Sequence, residues 1–279
     1  MEQLSVAVCG CTINSANYIS KHLKYIFELS VLFKNLDIII YENDSQDSTV
    51  EVLKTLEKED KIKLITEKNI KSTLKYRTAI IAHGRNKLVN YVTNGNYDYM
   101  IMIDLDTILS EPIINSIKNA FKFDCTKWDV LTGNSPTTYY DIWALRINRN
   151  QWTSNHSKIW KLCLDYDIWD MIGHRKQMEK NEKLFHTKTY QKHIPSSSPL
   201  IAVTSAFNGI GIYKVDIIKN CVYNGFPSNC SCLQYKVRGH CIGTACEHVA
   251  FHADIINKNN GRIFICPSLL TVDHQEHLQ

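Results

Sequence analysis

Asp104 and Asp106 stand one residue apart directly after the apolar run Met100-Ile101-Met102-Ile103. Two carboxylates leaving a buried strand together repel each other unless a cation or a hydrogen-bond network compensates. Oxygen donors of this kind suit Mg2+ or Mn2+, either of which can bridge a substrate diphosphate. Spacing alone carries little, since 16 Asp in 279 residues give about one such pair by chance. Asp165-Tyr166-Asp167 is a second instance, in a segment with no strand before it. Context favours the first pair, with a solvated strand end or a capping acid as the alternative.

A second polar group, Glu42-Asn43-Asp44-Ser45 with Asp47, follows the β-branched run Asp37 to Tyr41. Acidic residues in that place accept from ribose hydroxyls in nucleotide-binding α/β folds. Plain turn chemistry explains the same residues equally simply. Thr12 forms a third polar point after the run Leu4 to Cys9. Gly10-Cys11-Thr12-Ile13 matches neither the dinucleotide-binding nor the P-loop glycine pattern, which disfavours an NAD enzyme or a P-loop kinase. Glu247 precedes Val249, Phe251 and Ile255 at helical spacing, so it falls in a first helical turn. The helix N-terminus favours its charged form, which suits a base taking a proton from a hydroxyl, although capping alone is the competing explanation.

The elements that must position these groups alternate strand and helix. Strands are expected at Leu4 to Cys9, Asp37 to Tyr41, Ile62 to Ile65 and Tyr97 to Ile103. Helices are expected from the capping candidate Ser15 through Val31, around Val50, Leu53 and Leu56, and from Thr78 to Val92. Such βαβ units imply an α/β fold with a mainly parallel central sheet flanked by helices, whose ligands bind at the carboxyl ends of the strands. Further on, a helix opens at Ser110-Glu111-Pro112 and runs through Phe121. Trp128 to Leu131, Tyr140 to Arg146, Leu200 to Val215 and Arg262 to Cys266 read as strands, and Glu247 to Ile256 as a helix. Residues 150–198 are a polar, Lys- and His-rich stretch, taken as an insertion or substrate loop. We expect a single domain over 1–279, made of two halves, 1–121 and 122–279.

Composition excludes several classes. With 44% hydrophobic and 22% charged residues the chain is a packed globule rather than a disordered one. The net charge of +4 is spread along the chain and calls for no nucleic acid. No apolar run approaches the roughly 20 residues of a spanning helix, and no signal-like start is visible, so a cytoplasmic protein without an integral membrane segment is expected. Cys221, Cys230, Cys232, Cys241 and Cys246 crowd one region without zinc-site spacing, and free thiols are the simplest state for them.

In their order and spacing, several motifs resemble GT-A glycosyltransferases and, more narrowly, the fungal capsule-associated mannosyltransferase family. They are Tyr41-Glu42-Asn43-Asp44-Ser45-Gln46-Asp47-Ser48-Thr49, Gly84-Arg85-Asn86, Asp104-Leu105-Asp106 and Phe207-Asn208-Gly209 for the former, and Tyr140-Asp141-Ile142-Trp143-Ala144-Leu145-Arg146, Cys246-Glu247-His248 and Arg262-Ile263-Phe264-Ile265-Cys266-Pro267-Ser268 for the latter. The resemblance runs from about Val6 to His274, apart from the polar stretch. It implies a hexosyltransferase using a UDP- or GDP-sugar donor and a glycan or glycoprotein acceptor, with 1–121 as the nucleotide-sugar half and 122–279 as the acceptor half. Thr12, Glu42 and Asn43 would contact the nucleoside, and Arg85 a phosphate or the donor sugar, unless it is an exposed helix charge. Asp104 and Asp106 would hold Mn2+ or Mg2+, with His274 of the tail as a further ligand. Asp141, Trp143, Asn208 and Gly209 would face sugar or acceptor, and Glu247 would be the catalytic carboxylate. Two other classes share parts of this pattern. A nucleotidyltransferase would want a Gly-rich basic loop near Gly10, and a non-catalytic binding module would not need the carboxylates.

Overall fold

The computed structural model describes residues 1–105, 113–146, 191–225 and 246–271. Asp106, His274, the helix start at Ser110, Cys230, Cys232, Cys241 and most of the polar 150–198 stretch lie outside them. The strands are β1 (Ser5–Thr12), β2 (Asn35–Asn43), β3 (Lys63–Glu67), β4 (Tyr99–Ile103), β5 (Val130–Asn134), β6 (Ile201–Val203), β7 (Ile210–Lys214) and β8 (Ile263–Leu270). The α-helices are α1 (Ile19–Phe27), α2 (Thr49–Lys58), α3 (Ile70–Thr73), α4 (Arg77–Thr93), α5 (Ile114–Ala120) and α6 (Glu247–Asn259).

One sheet joins both halves of the chain in the order β3-β2-β1-β4-β7-β5-β8-β6. Four of its seven pairings are parallel: β1 with β2 and β4, β2 with β3, and β5 with β8. The antiparallel ones involve β7, between β4 and β5, and β6 at the far edge. The order of winding reverses at β1: β2 and β3 build outward on one side, and β4 is laid down, still parallel, on the other. That arrangement opens a crevice at the carboxyl ends of β1, β2 and β4.

Alternating residues of β1 feed two cores, as the period of a strand requires. Ala7 and Cys9 pack with Leu88, Val89 and Val92 of α4 and Phe251 and Ile255 of α6. Val6 and Val8 pack with Leu23 and Ile26 of α1, Leu53 of α2 and Ile117 of α5. Helices therefore cover both faces, and the central strands read as unbroken apolar runs.

Four local expectations are corrected. α1 ends at Phe27 and a 3-10 helix, Glu28–Leu32, takes over, so three-residue spacing turns Leu29 and Leu32 inward and leaves Val31 73% exposed. Ser15 does not cap α1 through its side chain; the hydroxyl takes a hydrogen bond from Thr12 at 2.6 Å instead. Tyr140 to Arg146 is not a strand, because the Asp141 carboxylate accepts the Ala144 N–H at 3.2 Å and bends residues 142–144 into a turn. Leu200 to Val215 is interrupted rather than continuous: Asn208 and Gly209, at φ 56° and 84°, separate β6 from β7.

Two carboxylates clasp the ends of the sheet. Asp129 accepts from Arg262 Nε and backbone N–H (2.8 and 2.9 Å) and from Lys214 Nζ (3.1 Å), joining β5, β7 and β8. Glu67 accepts from His83 (2.6 Å), Tyr41 (2.9 Å) and Lys87 (3.0 Å), tying β3 to β2 and α4. Burial opposes both charges, yet these donors prevail and hold each pKa at about 2, below the ordinary 3.8 and 4.5. A depressed folded-state pKa adds stability above the unfolded value and loses it as pH falls toward the folded one. Urea midpoints should therefore drop between about pH 4.5 and 2, on the order of 1 kcal/mol per group after solvent screening. Asp129→Asn should flatten that fall, and an unchanged acid slope would count against the assignment.

Candidate active site

A cavity of about 780 Å³ occupies the crevice, lined by Thr12, Asn43 and Asp104 from strand ends, Arg85 from α4, and Glu247 and His248 from α6. The wall thus draws on sequence positions as far apart as 12 and 248, brought together by the β1-β4-β7 order.

Arg85 is the hub. Its side chain is 6% exposed, yet it carries a charge, and such a charge is tolerated only when paired. Nη2 donates to Asp104 Oδ1 at 2.8 Å, while Nη1 donates to Glu247 Oε1 and lies 2.6 Å from His248 Nε2. The guanidinium carbon lies 5.0 Å from the centre of the Phe207 ring and 5.6 Å from that of Tyr223, so aromatic faces close the remaining sides. Burial works against the cation, but Glu247 and Asp104 outweigh it and raise the Arg85 pKa. The same burial, with Arg85 and His252, holds His248 well below its ordinary value, and His252 drops to about 3 from burial and Arg85. Both imidazoles are neutral at physiological pH.

The neighbours of Arg85 make this possible. Gly84 lets α4 settle on β1 and β2, since a Cβ there would run into the Tyr41 ring and meet Cys11 Sγ at 3.0 Å. Asn86 clamps the backbone of Tyr223 with two hydrogen bonds, donating at 2.9 Å and accepting at 2.8 Å, which holds that ring near the guanidinium. Gly84-Arg85-Asn86 is therefore one device with three parts.

Asp104 is fixed through its main chain as well. Its N–H donates to the Gly209 carbonyl at 2.9 Å, extending the β4–β7 ladder. Leu105, 1% exposed, fills the space above Gly10, where a Cβ would stand 2.6 Å from its side chain. The His22 ring of α1 donates through Nδ1 to the Leu105 carbonyl at 3.2 Å.

The other predicted residues divide. Thr12, Asn43, Asp141 and Trp143 line the cavity. Glu42 is buried outside that lining, with one oxygen on the Ser45 N–H (2.9 Å) and the other on the Thr66 hydroxyl (2.7 Å), so it shapes the loop after β2. Asn208 and Gly209 lie behind the wall. Asn208, fully buried, accepts from the Asp141 N–H at 3.3 Å and donates its own N–H to the Asp141 carboxylate at 2.9 Å, orienting that side chain. Arg85, expected at a phosphate or the donor sugar, lines the cavity and is buried, with both terminal nitrogens bonded to protein groups.

Sequence reasoning passed over Lys71, Lys75 and Arg77, three exposed cations that also line the cavity. Among the described residues neither Lys71 nor Lys75 makes an ion pair. The inner wall, with Asp104 and Glu247 sharing one Arg85, is net negative, and this outer strap is positive. His248 was also overlooked as a functional group, although an arginine inside the apolar stripe of α4 (Ala82, Leu88, Val89, Val92) is a signal that buried partners must exist.

Of the expected metal ligands, only Asp104 falls among the described residues, at the cavity and with 29% of its side chain exposed. Among those residues no group of three His, Cys, Asp or Glu side chains is arranged to hold a metal ion. Any cation held at Asp104 would need further ligands from outside the described residues, where Asp106 and His274 lie.

No protein-family model and no curated protein matches the sequence. No helix among the described residues is long and apolar enough to cross a membrane. Among solved structures, the mannosyltransferase PcManGT from Pyrobaculum calidifontis, in complex with GDP-Man and Mn2+, is similar at TM-score 0.52 and 13% identity, over 98% of this chain and 57% of that one. S. aureus TarS 1-349 in complex with UDP-GlcNAc aligns at TM-score 0.48 and 13% identity, over 99% and 60%. The chain spans less than two thirds of the length of either. At that identity the first likeness is one of architecture, and with the sheet order it shows that this chain has the α/β fold of GT-A-type glycosyltransferases.

Proposed function

We propose that the protein is a metal-dependent glycosyltransferase that moves a hexose from a UDP- or GDP-sugar to a hydroxyl of a glycan or protein. The observation that carries this reading is the buried Arg85 bridge, which fixes a strand-end carboxylate, Asp104, and a helix-borne one, Glu247, on the wall of one cavity. In this reading Thr12 and Asn43 receive the nucleoside, and Lys71, Lys75 and Arg77 offset the negative charge of the diphosphate. Asp104, with Asp106 and His274, would hold Mn2+ or Mg2+, which supplies charge neutralisation for the departing nucleoside diphosphate. Asp141, held by Asn208, and Trp143 face the sugar or acceptor. Glu247 serves the acceptor: with inversion at the anomeric carbon it takes the hydroxyl proton, and with retention it orients the acceptor or donor sugar. GDP-mannose is the first donor to try, since the capsule-associated mannosyltransferase resemblance points to mannose.

The test is a panel of nucleotide sugars with and without Mn2+, followed by variants. Glu247→Gln and Asp104→Asn should each lower turnover by about 100-fold or more with the circular dichroism spectrum unchanged. Near-normal turnover in either variant would overturn its assigned role. Full activity in excess EDTA would remove the cation from the reading, and pyrophosphate release from a nucleoside triphosphate would replace transfer by nucleotidyl chemistry.

A further inference from the structure

We infer that His248 is a positioning residue: by accepting one Arg85 N–H it fixes the guanidinium so that a single cation serves Asp104 and Glu247 together. The inference rests on the glycosyltransferase reading for its kinetic consequence and on geometry alone for the contact itself.

An arginine N–H can only donate, so His248 Nε2, 2.6 Å from Arg85 Nη1, must carry no proton. The remaining proton of the ring is then on Nδ1, which is buried and has no hydrogen-bond partner among the described residues. An orphaned buried donor is a cost to the fold, and a phenyl ring would fill the same space without it. The packing is already aromatic: His248 stacks on Phe207 at 3.8 Å between ring centres and meets the edge of Tyr223 at 5.5 Å. What a phenyl ring could not do is accept the second Nη1 proton. Without that acceptor, Nη1 has Glu247 as its one hydrogen-bonding partner, and the guanidinium is free to rotate toward it and away from Asp104. His252, with Ser205 at 3.0 Å and Tyr213 at 3.1 Å from its two nitrogens, backs the ring from the core.

Three variants and one spectrum test this. His248→Phe keeps the stacked ring, and His248→Asn is too short to reach; both should lower kcat about 100-fold, the scale of a small misplacement of reacting groups. The Phe variant should unfold at the same urea concentration as the parent or a higher one, which a purely structural role would not allow. His248→Gln, whose amide oxygen can take the place of Nε2, should restore most of kcat. Histidine 15N spectra of the unmodified protein should show His248 as the neutral Nδ1–H tautomer from about pH 6 to 8. Full kcat in His248→Phe, no rescue by Gln, or an Nε2–H tautomer or imidazolium would each overturn the inference. If no donor is turned over at all, the glycosyltransferase reading fails and the spectrum still decides the contact.

Discussion

Arg85→Leu should lower stability by about 3–5 kcal/mol and turnover by about 100-fold or more. The substitution keeps bulk inside α4 but strands two carboxylates that now share one cation, Asp104 at 2.8 Å from Nη2 and Glu247 at Nη1. Breaking a buried pair costs more than the pair ever contributed, because an uncompensated charge is left behind. Arg85→Lys should fail nearly as completely in turnover, since one ammonium cannot reproduce the planar fork that reaches two acceptors and an imidazole at once. Urea denaturation separates the two effects. In the double variant Arg85→Leu with Glu247→Gln, part of the lost stability should return while turnover stays low. Unaltered stability in Arg85→Leu would mean that the two carboxylates do not depend on it.

Trp128→Ala should cost about as much stability, about 3–5 kcal/mol, with kcat of the folded protein close to normal. Trp128 is fully buried, with Tyr99 at 5.8 Å and Phe121 at 6.3 Å between ring centres and Lys214 Nζ at 5.7 Å from its face. Those contacts hold α5 against the sheet, on the face opposite α4 and α6, and Trp128 is not part of the cavity wall. Comparing it with Arg85→Leu distinguishes loss of fold from loss of site. A large fall in kcat for folded Trp128→Ala would show that the two cores are coupled more tightly than their packing indicates.

Much of this organisation is legible in the order of the amino acids. The alternation from Leu4 to Ile103 is local, each strand followed by the helix that covers it, so hydrophobic period alone locates β1, β2, β3 and β4. The position of Asp104 follows from the apolar run before it, and that of Glu247 from the periodic residues after it. What escapes is whatever depends on distant partners. Val31 fits a helical stripe, but the tighter 3-10 turn after Phe27 rotates it into solvent. Glu42 has the right chemistry and place for a ribose, yet Ser45 and Thr66 satisfy it first. Asn208 reads as a sugar contact and acts on Asp141 instead, through a left-handed backbone that no periodicity announces. The strap of Lys71, Lys75 and Arg77 has no apolar pattern to mark it, and only the carboxyl ends of β1 and β2 give it a meaning.

The place of β7 has a consequence for how the molecule comes into being. β4 and β5 are close in sequence, but each is hydrogen-bonded to β7, which the ribosome delivers roughly a hundred residues after β4. Until then β4 presents a bare edge, with its first-half partner β1 on one side and nothing to zip onto on the other. Pairings of such long separation are slow to form, because loop closure must precede the contacts that reward it. Arg85 and Asp104 emerge early, and Glu247 and His248 come later still than β7. An incomplete chain therefore carries the cavity-lining strand ends of β1, β2 and β4 without the α6 carboxylate that pairs with Arg85. In this topology the site is armed only between the arrival of β7 and that of β8, as the last strands of the sheet are delivered.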